Sequence, residues 1–523
     1  MQTGTSPQRP SRRDALRLGA LTSTGLALPA LAGCSGGGLL PGGLLAGNQS
    51  AQGSAGVVIE SAARLPEPFT APLPIPPVLE PVSTDGDADR YELTQKVGQA
   101  QILPEVTTEV WGYDGIFPGP TLETRRGRET VVTHHNELDV PTVVHLHGGV
   151  TPAEHDGYPT DFVEPGSSRE YVYPLRQRAM TLWYHDHRMD FTGPQVHRGL
   201  AGFHLIRDDE EDALGLPAGE REIPLMIVDR SFAEDGSFLY PSIDPTLQEH
   251  PGVEEEYLSG VLGDCILVNG AAWPILELTN TMYRFRLLNA SNARRYELAL
   301  DPPSADGASF VQIGSDGGLL AAPVAHESIE IAQAERFDVV VDFSAYSVGD
   351  EVTLVNRLGQ DGTGQVMRFV VAREGPEEAR IPETLSEVTP LSRDEVTVER
   401  EFVFQRGGAE HEGMTLWTIN GEPFDPDRIE AAPQLGEVEL WRIRALNLAH
   451  PFHVHLSPFQ VLSTGGGDDP GPYNGGWKDT VNLGSGGEAE ILVRFEQFTG
   501  KFVVHCHNLE HEDMMMMANF EVF

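Results

Sequence analysis

The chain has 523 residues, 78 acidic against 36 basic, for a formal charge of −42, and it is rich in Gly (56) and Pro (39). The length is too great for one ordinary core and predicts two to four domains. The charge repels polyanions, so no nucleic-acid partner is expected. Beyond the N-terminal segment no apolar run is long enough to span a bilayer.

In chain order, the first feature is an address. Arg12 and Arg13 precede the apolar run "LGALTSTGLALPALAG", which resembles a twin-arginine export signal, and "LAGC" (residues 31–34) resembles the lipobox of exported prokaryotic lipoproteins. Residues 1–34 are therefore read as signal, with Cys34 as an acylated first residue that would hold the protein at a membrane. Residues 35–64 are read as a flexible Gly-rich tether. The alternative is a soluble secreted protein cut elsewhere. Both readings export the chain, and a monomer is expected.

Next come the histidines. Of 18, ten fall in four short clusters: "HLH" (His145, His147), "HDH" (His185, His187), "HPFHVH" (His450, His453, His455) and "HCHNLEH" (His505, His507, His511). Their flanks, such as "TVVHLHG", "MTLWYHDH" and "KFVVHCH", are β-branched or aromatic and strand-like. On a strand, residues i and i+2 share a face, roughly 6.6 Å apart along the chain. Each H-x-H thus offers two imidazoles to one side. One such pair means little, but four in one chain point to transition metals, for which neutral imidazole is the commonest side-chain ligand.

The terminal stretch "KFVVHCHNLEHEDMMMM" shows how the clusters combine. In H-C-H the two histidines face one way and Cys506 the other, so one strand can touch two metal sites. Cys506, His511 five residues on, a second histidine at His450 and a weak axial methionine make the ligand set of a blue copper electron-transfer site. Spacing favours Met516 as the axial residue, with Met515 and Met517 as alternatives. The other eight histidines, pairs 145/147, 185/187, 453/455 and 505/507, could hold three coppers on the opposite face. Cys265 then reads as a small buried thiol.

Beyond the ligands, "PLPIPPVLEP", "WGYDGIFPGPTLE", "LWYHDHRM", "ILVNGAAWP", "YRFRLLNASNARRYELAL", "QIGSDGGLL" and "GWKDTV" resemble the bacterial spore-coat laccase and bilirubin oxidase branch of the multicopper oxidases, over most of residues 65–523. The resemblance implies an all-β fold of three cupredoxin-like Greek-key β-sandwiches, with a copper-free middle domain acting as a spacer. It implies four coppers: a type 1 ion on His450, Cys506, His511 and Met516, a type 2 ion on His145 and His453, and a type 3 pair on His147, His185, His187, His455, His505 and His507. It also implies one-electron oxidation of phenolic or similar donors coupled to reduction of O2 to water, with Asp156 and Glu512 as proton-relaying carboxylates. The relatives' disulfide is not carried over, since Cys265 is shifted and has no evident partner.

Charged segments at 207–224 and 372–396 read as linkers, which divides the chain into residues 65–210, 211–375 and 376–523. A cuprous or manganous oxidase is the rival within the same chemistry, although the long Met-rich segment of dedicated cuprous oxidases is missing. A copper-storage or electron-carrier protein is the rival outside it, and would leave eight histidines unexplained. The acidic surface, with only three lysines, reads as adaptation to a salty medium that screens self-repulsion.

Overall fold

The computed structural model describes residues 54–304, 307–411 and 414–523. The export-signal reading, Cys34 included, and the beginning of the tether lie outside these residues. Among the described residues no helix is long and apolar enough to cross a membrane.

Three pairs of sheets follow one another along the chain, as expected for three cupredoxin-like sandwiches. In the first, Gly119–Arg125, Ala201–Arg207, Met180–Asp186 and Val144–His147 form one sheet in that order, and a five-stranded sheet around Ala88–Ala100 and Glu129–Asn136 forms the other. The middle pair has seven and five strands. In the third pair, the strands Ile429–Ala431, Met517–Val522, Gly500–Cys506, His450–Val454 and Thr480–Leu483 lie side by side. Neighbours distant in sequence, such as Gly119–Arg125 running parallel to Ala201–Arg207, are the Greek-key crossovers.

Each sandwich has an apolar filling, and that of the middle one continues into the first through Trp183, Phe203 and Leu205. Leu93, Val132, Leu146 and Tyr184 pack in the first, Phe285, Phe337, Phe343 and Phe369 in the middle, and Trp441, Phe452, Phe459 and Phe502 in the third. The strand Glu129–Asn136 shows the principle: Val132, His134 and Asn136 are buried while Thr133 and His135 are half-buried, as a two-residue period requires. Cys265 sits in the middle filling as a free buried thiol, as expected.

The segment 207–224 is more than a solvated linker. Its short helix Asp209–Asp212 carries Glu211, which is 5% exposed and accepts hydrogen bonds from Arg284 Nη2 at 2.9 Å and Arg286 Nη2 at 2.8 Å. Glu222 accepts from Arg286 Nε at 2.6 Å and Arg207 Nη1 at 2.6 Å. Burial works against both charged carboxylates, but the arginines prevail, holding Glu222 down to about 2 and Glu211 lower still. Charge alone marks such residues as exposed; here they clamp the first sandwich to the second.

Removing one partner of a buried ion cluster strands the others. Glu211→Ala is therefore expected to cost roughly 3 kcal/mol of stability, read as a lower denaturant midpoint with little change in slope. Because both carboxylates are depressed, this stabilisation is present above the ordinary carboxylate range and is lost as pH falls through their folded values, towards pH 2 for Glu222. Equilibrium unfolding against pH should show that loss in the parent and a weaker one in Glu211→Ala.

Candidate metal centre

Two pairs of antiparallel strands carry the histidine clusters. In the first sandwich Val144–His147 pairs with Met180–Asp186, placing His145 opposite His185. In the third, His450–Val454 pairs with Gly500–Cys506, placing His453 opposite His505 and Phe452 opposite Cys506. Residues directly opposite on an antiparallel pair point to the same face, so each pair of strands presents a patch of imidazoles. The patches meet: His145 stacks on His455 and His147 on His453, each with ring centroids 3.7 Å apart.

The ring nitrogens gather into groups of three within 4.8 Å of one another. These are His145, His147 and His453; His147, His185 and His507; and His187, His455 and His505. On the other face of the Gly500–Cys506 strand, His450, Cys506 and His511 form a separate group, with Cys506 Sγ 3.4 Å from His450 Nδ1 and 3.5 Å from His511 Nδ1. All ten histidines and Cys506 named from sequence as ligands fall in these groups, and each is buried. Among the described residues, none of the three-histidine groups includes a residue of the middle sandwich.

The four methionines separate by register. Met517 lies opposite His505, and Met516 accepts the Cys506 backbone N–H through its carbonyl at 3.1 Å. Met516 therefore shares the face of Cys506 and Met517 that of His505. Met516 is fully buried in the same apolar filling as Cys506. Met517 packs instead with Tyr158 and Val503, Met515 is half-buried at a positive φ of 88°, and Met514 reaches toward Gly252.

Carboxylates and carbonyls surround the rings. Asp156 Oδ2 is 2.7 Å from His455 Nδ1, and the Asp156 carbonyl accepts from His145 Nδ1 at 2.6 Å. Gly157 makes this approach feasible: at φ +79° a Cβ there would lie 2.1 Å from the Val144 carbonyl oxygen. Glu512 Oε2 is 3.1 Å from His505 Nδ1, and its Oε1 is 3.4 Å from His187 Nδ1. Burial pushes the Asp156 carboxyl well above the usual range. For Glu512 burial also acts upward, but His505 and His187 hold the group down to about 2.

Two residues at the site were quoted in sequence motifs or passed over without a role. Asp479, in "GWKDTV", has Oδ1 3.0 Å from His147 Nε2, and its carbonyl accepts from His453 Nδ1 at 2.8 Å. Arg336, from the middle sandwich, donates to Asp479 Oδ1 at 2.7 Å and also contacts its second oxygen. The middle sandwich is thus a spacer that also reaches the ring cluster through a buried ion pair. Of the eight other histidines, His134, His197, His204 and His326 are buried, and three have polar partners in Gln95, Thr124 and Gln312. Those three are held by hydrogen bonds in the interior.

The donor set fits copper on its own geometry. His145 Nε2, His185 Nε2, His453 Nε2 and His147 Nδ1 are buried with no hydrogen-bond partner, and so are both nitrogens of His507. In the first four rings the opposite nitrogen is held by Asp156, Asp186 or Asp479. That is how metal-binding histidines are oriented: one nitrogen fixed from outside, the other bare and aimed inward. Burial drives His145, His147, His453, His455, His507 and His511 far below the ordinary imidazole range, and His185 and His450 to about 3. Those eight rings are therefore neutral, the form that binds metal. Two imidazoles and a thiolate in the fourth group match the softer donor set of a blue copper ion.

Known proteins resemble the chain over most of its length. Two family models, both described as multicopper oxidase, match residues 94–211 and 395–523. The chain is 37% identical to the laccase of Bacillus subtilis (strain 168), over 87% of this chain and 98% of that protein. It is 38% identical to the bilirubin oxidase of Albifimbria verrucaria, over 86% and 81% of the respective chains. The crystal structure of a laccase from Pediococcus acidilactici superposes with a TM-score of 0.78 at 33% identity, covering 89% of this chain and 96% of that one. With ligand groups for one isolated and three clustered ions, the chain belongs to the multicopper oxidase family, as a laccase-type copper oxidoreductase that carries four coppers and takes O2 as its acceptor.

Proposed function

We propose that His450, Cys506, His511 and axial Met516 hold the type 1 copper, that His145 and His453 hold the type 2 ion, and that the type 3 pair is divided between His147, His185 and His507 on one side and His187, His455 and His505 on the other. One observation carries this reading: Cys506 belongs to one donor group while its chain neighbours His505 and His507 belong to two others. When bound, the coppers supply one-electron oxidation of a donor and four-electron reduction of O2 to two waters. The chain supplies the connection, three consecutive residues joining the two sites. It also supplies carboxylates at hydrogen-bond distance, Asp156 on His455 and Glu512 on His505, to hand on the protons that O2 reduction consumes.

The donors are small phenols or similar one-electron reductants. They approach where the outer nitrogens of His450 and His511 meet the backbone carbonyls of Leu446 and Ser259 at half-buried positions. The sequence boundaries near 210 and 375 divide the three sandwiches, the acidic surface serves a salty medium, and residues 1–34 export a monomer that Cys34 tethers by lipid to the cell surface. These last readings rest on composition and motif.

Copper-loaded protein is expected to show an intense thiolate-to-copper absorption band with about four coppers per chain. Cys506→Ser should abolish the band while keeping the other three ions; a persistent band would remove Cys506 from the type 1 site. Glu512→Gln should lower turnover roughly a hundredfold at unchanged copper content, and unchanged turnover would dismiss the relay. Phenols should outpace Cu(I) and Mn(II) as donors; the reverse order would make this a metal oxidase. In the native host, Cys34→Ser should move the protein from the membrane fraction to the medium, and an unaltered distribution would rule out the lipid anchor.

A further inference from the structure

The strand Thr480–Leu483 borders the strand that carries His450, with Leu483 directly opposite His450. The Leu483 carbonyl accepts a hydrogen bond from Arg295 Nη2 at 2.8 Å. Arg295 belongs to the middle sandwich, just before the strand Tyr296–Asp301, and is 5% exposed. Several other buried arginines of that sandwich meet a carboxylate: Arg284 with Glu211, Arg294 with Asp229, Arg336 with Asp479. Arg295 does not, since among the described residues no carboxylate lies within ion-pair distance of it; Arg230 shares that lack, but its guanidinium is held by the carbonyls of Val196, His197 and Asp229. Glu335 and Glu330 act on it only from farther away, and Glu335 is already 3.1 Å from Lys478. Burial lowers Arg295 to about 10, which leaves it charged at neutral pH.

Satisfying one carbonyl does not require a guanidinium, and a buried cation without a counter-ion is costly. Its location suggests what it does. We propose that Arg295 sets the reduction potential of the His450–Cys506–His511 site, its buried positive charge favouring the reduced metal and so widening the range of donors the protein can oxidise. This rests on the type 1 reading of that group. Accepting one electron lowers the charge of the metal–thiolate unit by one, with no proton taken up, and a nearby fixed cation favours the less positive form. One hydrogen bond and one cross-strand step put the guanidinium on the order of 10 Å from the ligands. At that distance, in a partly shielded interior, a unit charge shifts a one-electron equilibrium on the order of tenfold.

The effect also suits the composition. A surface with a large excess of carboxylates pulls the potential down, but salt screens exposed charges within about 10 Å. A buried arginine is screened far less, so its contribution persists in a salty medium.

The test uses full-length, copper-loaded protein and titrates the blue band against a mediator of known potential. Arg295→Gln keeps an amide donor but carries no charge, whereas Arg295→Lys keeps the charge. The glutamine variant should keep the band and the copper count while its equilibrium constant for reduction falls on the order of tenfold; the lysine variant should stay within about twofold of the parent. A glutamine variant that titrates like the parent overturns the proposal. So does a lysine variant that falls as far as the glutamine one, which would mean that bond geometry matters and charge does not. If Arg295→Gln fails to load copper, Arg295→Met is titrated in its place under the same two criteria. Lack of a blue band in the parent would instead overturn the type 1 assignment, separately from the role of Arg295.

Discussion

Eleven metal-seeking side chains are buried here, several with a ring nitrogen bare, and the rest of the architecture answers to that. Each of the ten histidines and Cys506 is at most 1% exposed. A buried polar atom without a partner costs on the order of 1–3 kcal/mol, so the bare nitrogens of the two imidazole patches work against their contact in the absence of metal. Something else must hold the first and third sandwiches in contact. Part of it is the short helix Leu509–Asp513, whose Asp513 accepts the backbone N–H groups of Thr192 and Gly193 at 2.8 Å. Asp156 of the first sandwich, reaching His455 of the third, is another part. These contacts position the patches, and bound copper then makes use of the bare nitrogens.

The middle sandwich does the remaining holding with buried charge. Lys478 and Asp479 are consecutive residues of the third sandwich. The first is 3.1 Å from Asp316 and 3.1 Å from Glu335, and the second is gripped by Arg336. An apolar seam would tolerate sliding, whereas interlocked ions with fixed partners specify one register. That register matters because Asp479 orients both His147 and His453. Gly148 shows how close the packing is: a Cβ there would lie 2.7 Å from Asp479 Oδ2 and 2.8 Å from Arg336 Nη2.

The contrast between local and distant coupling explains what the sequence revealed. Pairs such as His145/His147 and His505/His507 are legible because the strand period of two is local, so two residues apart means one shared face. The sidedness of H-C-H follows from the same rule, and so does the choice of Met516 once the register Met517 to His505 is known. Arg336 and Asp479 lie 143 residues apart, and no periodicity links them. Glu211 and Glu222 fall in a segment read only as a charged linker, because composition cannot show that three arginines await them. His134 and His204 carry no sign in the sequence of their burial, which depends on what the opposing sheet places over them.

The same alternation divides the chemistry by face. Cys506 points into an apolar filling with Phe404, Trp417, Phe452 and Met516, and the indole of Trp417 lies 3.8 Å from the His511 ring. That face is lined by apolar side chains, which suits a step that moves one electron and no proton. Its neighbours His505 and His507 point the other way, towards the side bordered by Asp156, Glu512 and Asp479, where O2 reduction must be fed protons. A one-residue slip of the Gly500–Cys506 strand would exchange the faces, placing imidazoles in the apolar filling and the thiol among carboxylates. Both sites thus depend on a single register, and the pairing of Phe452 with Cys506 on one side and of Ala518 with Val504 on the other holds it.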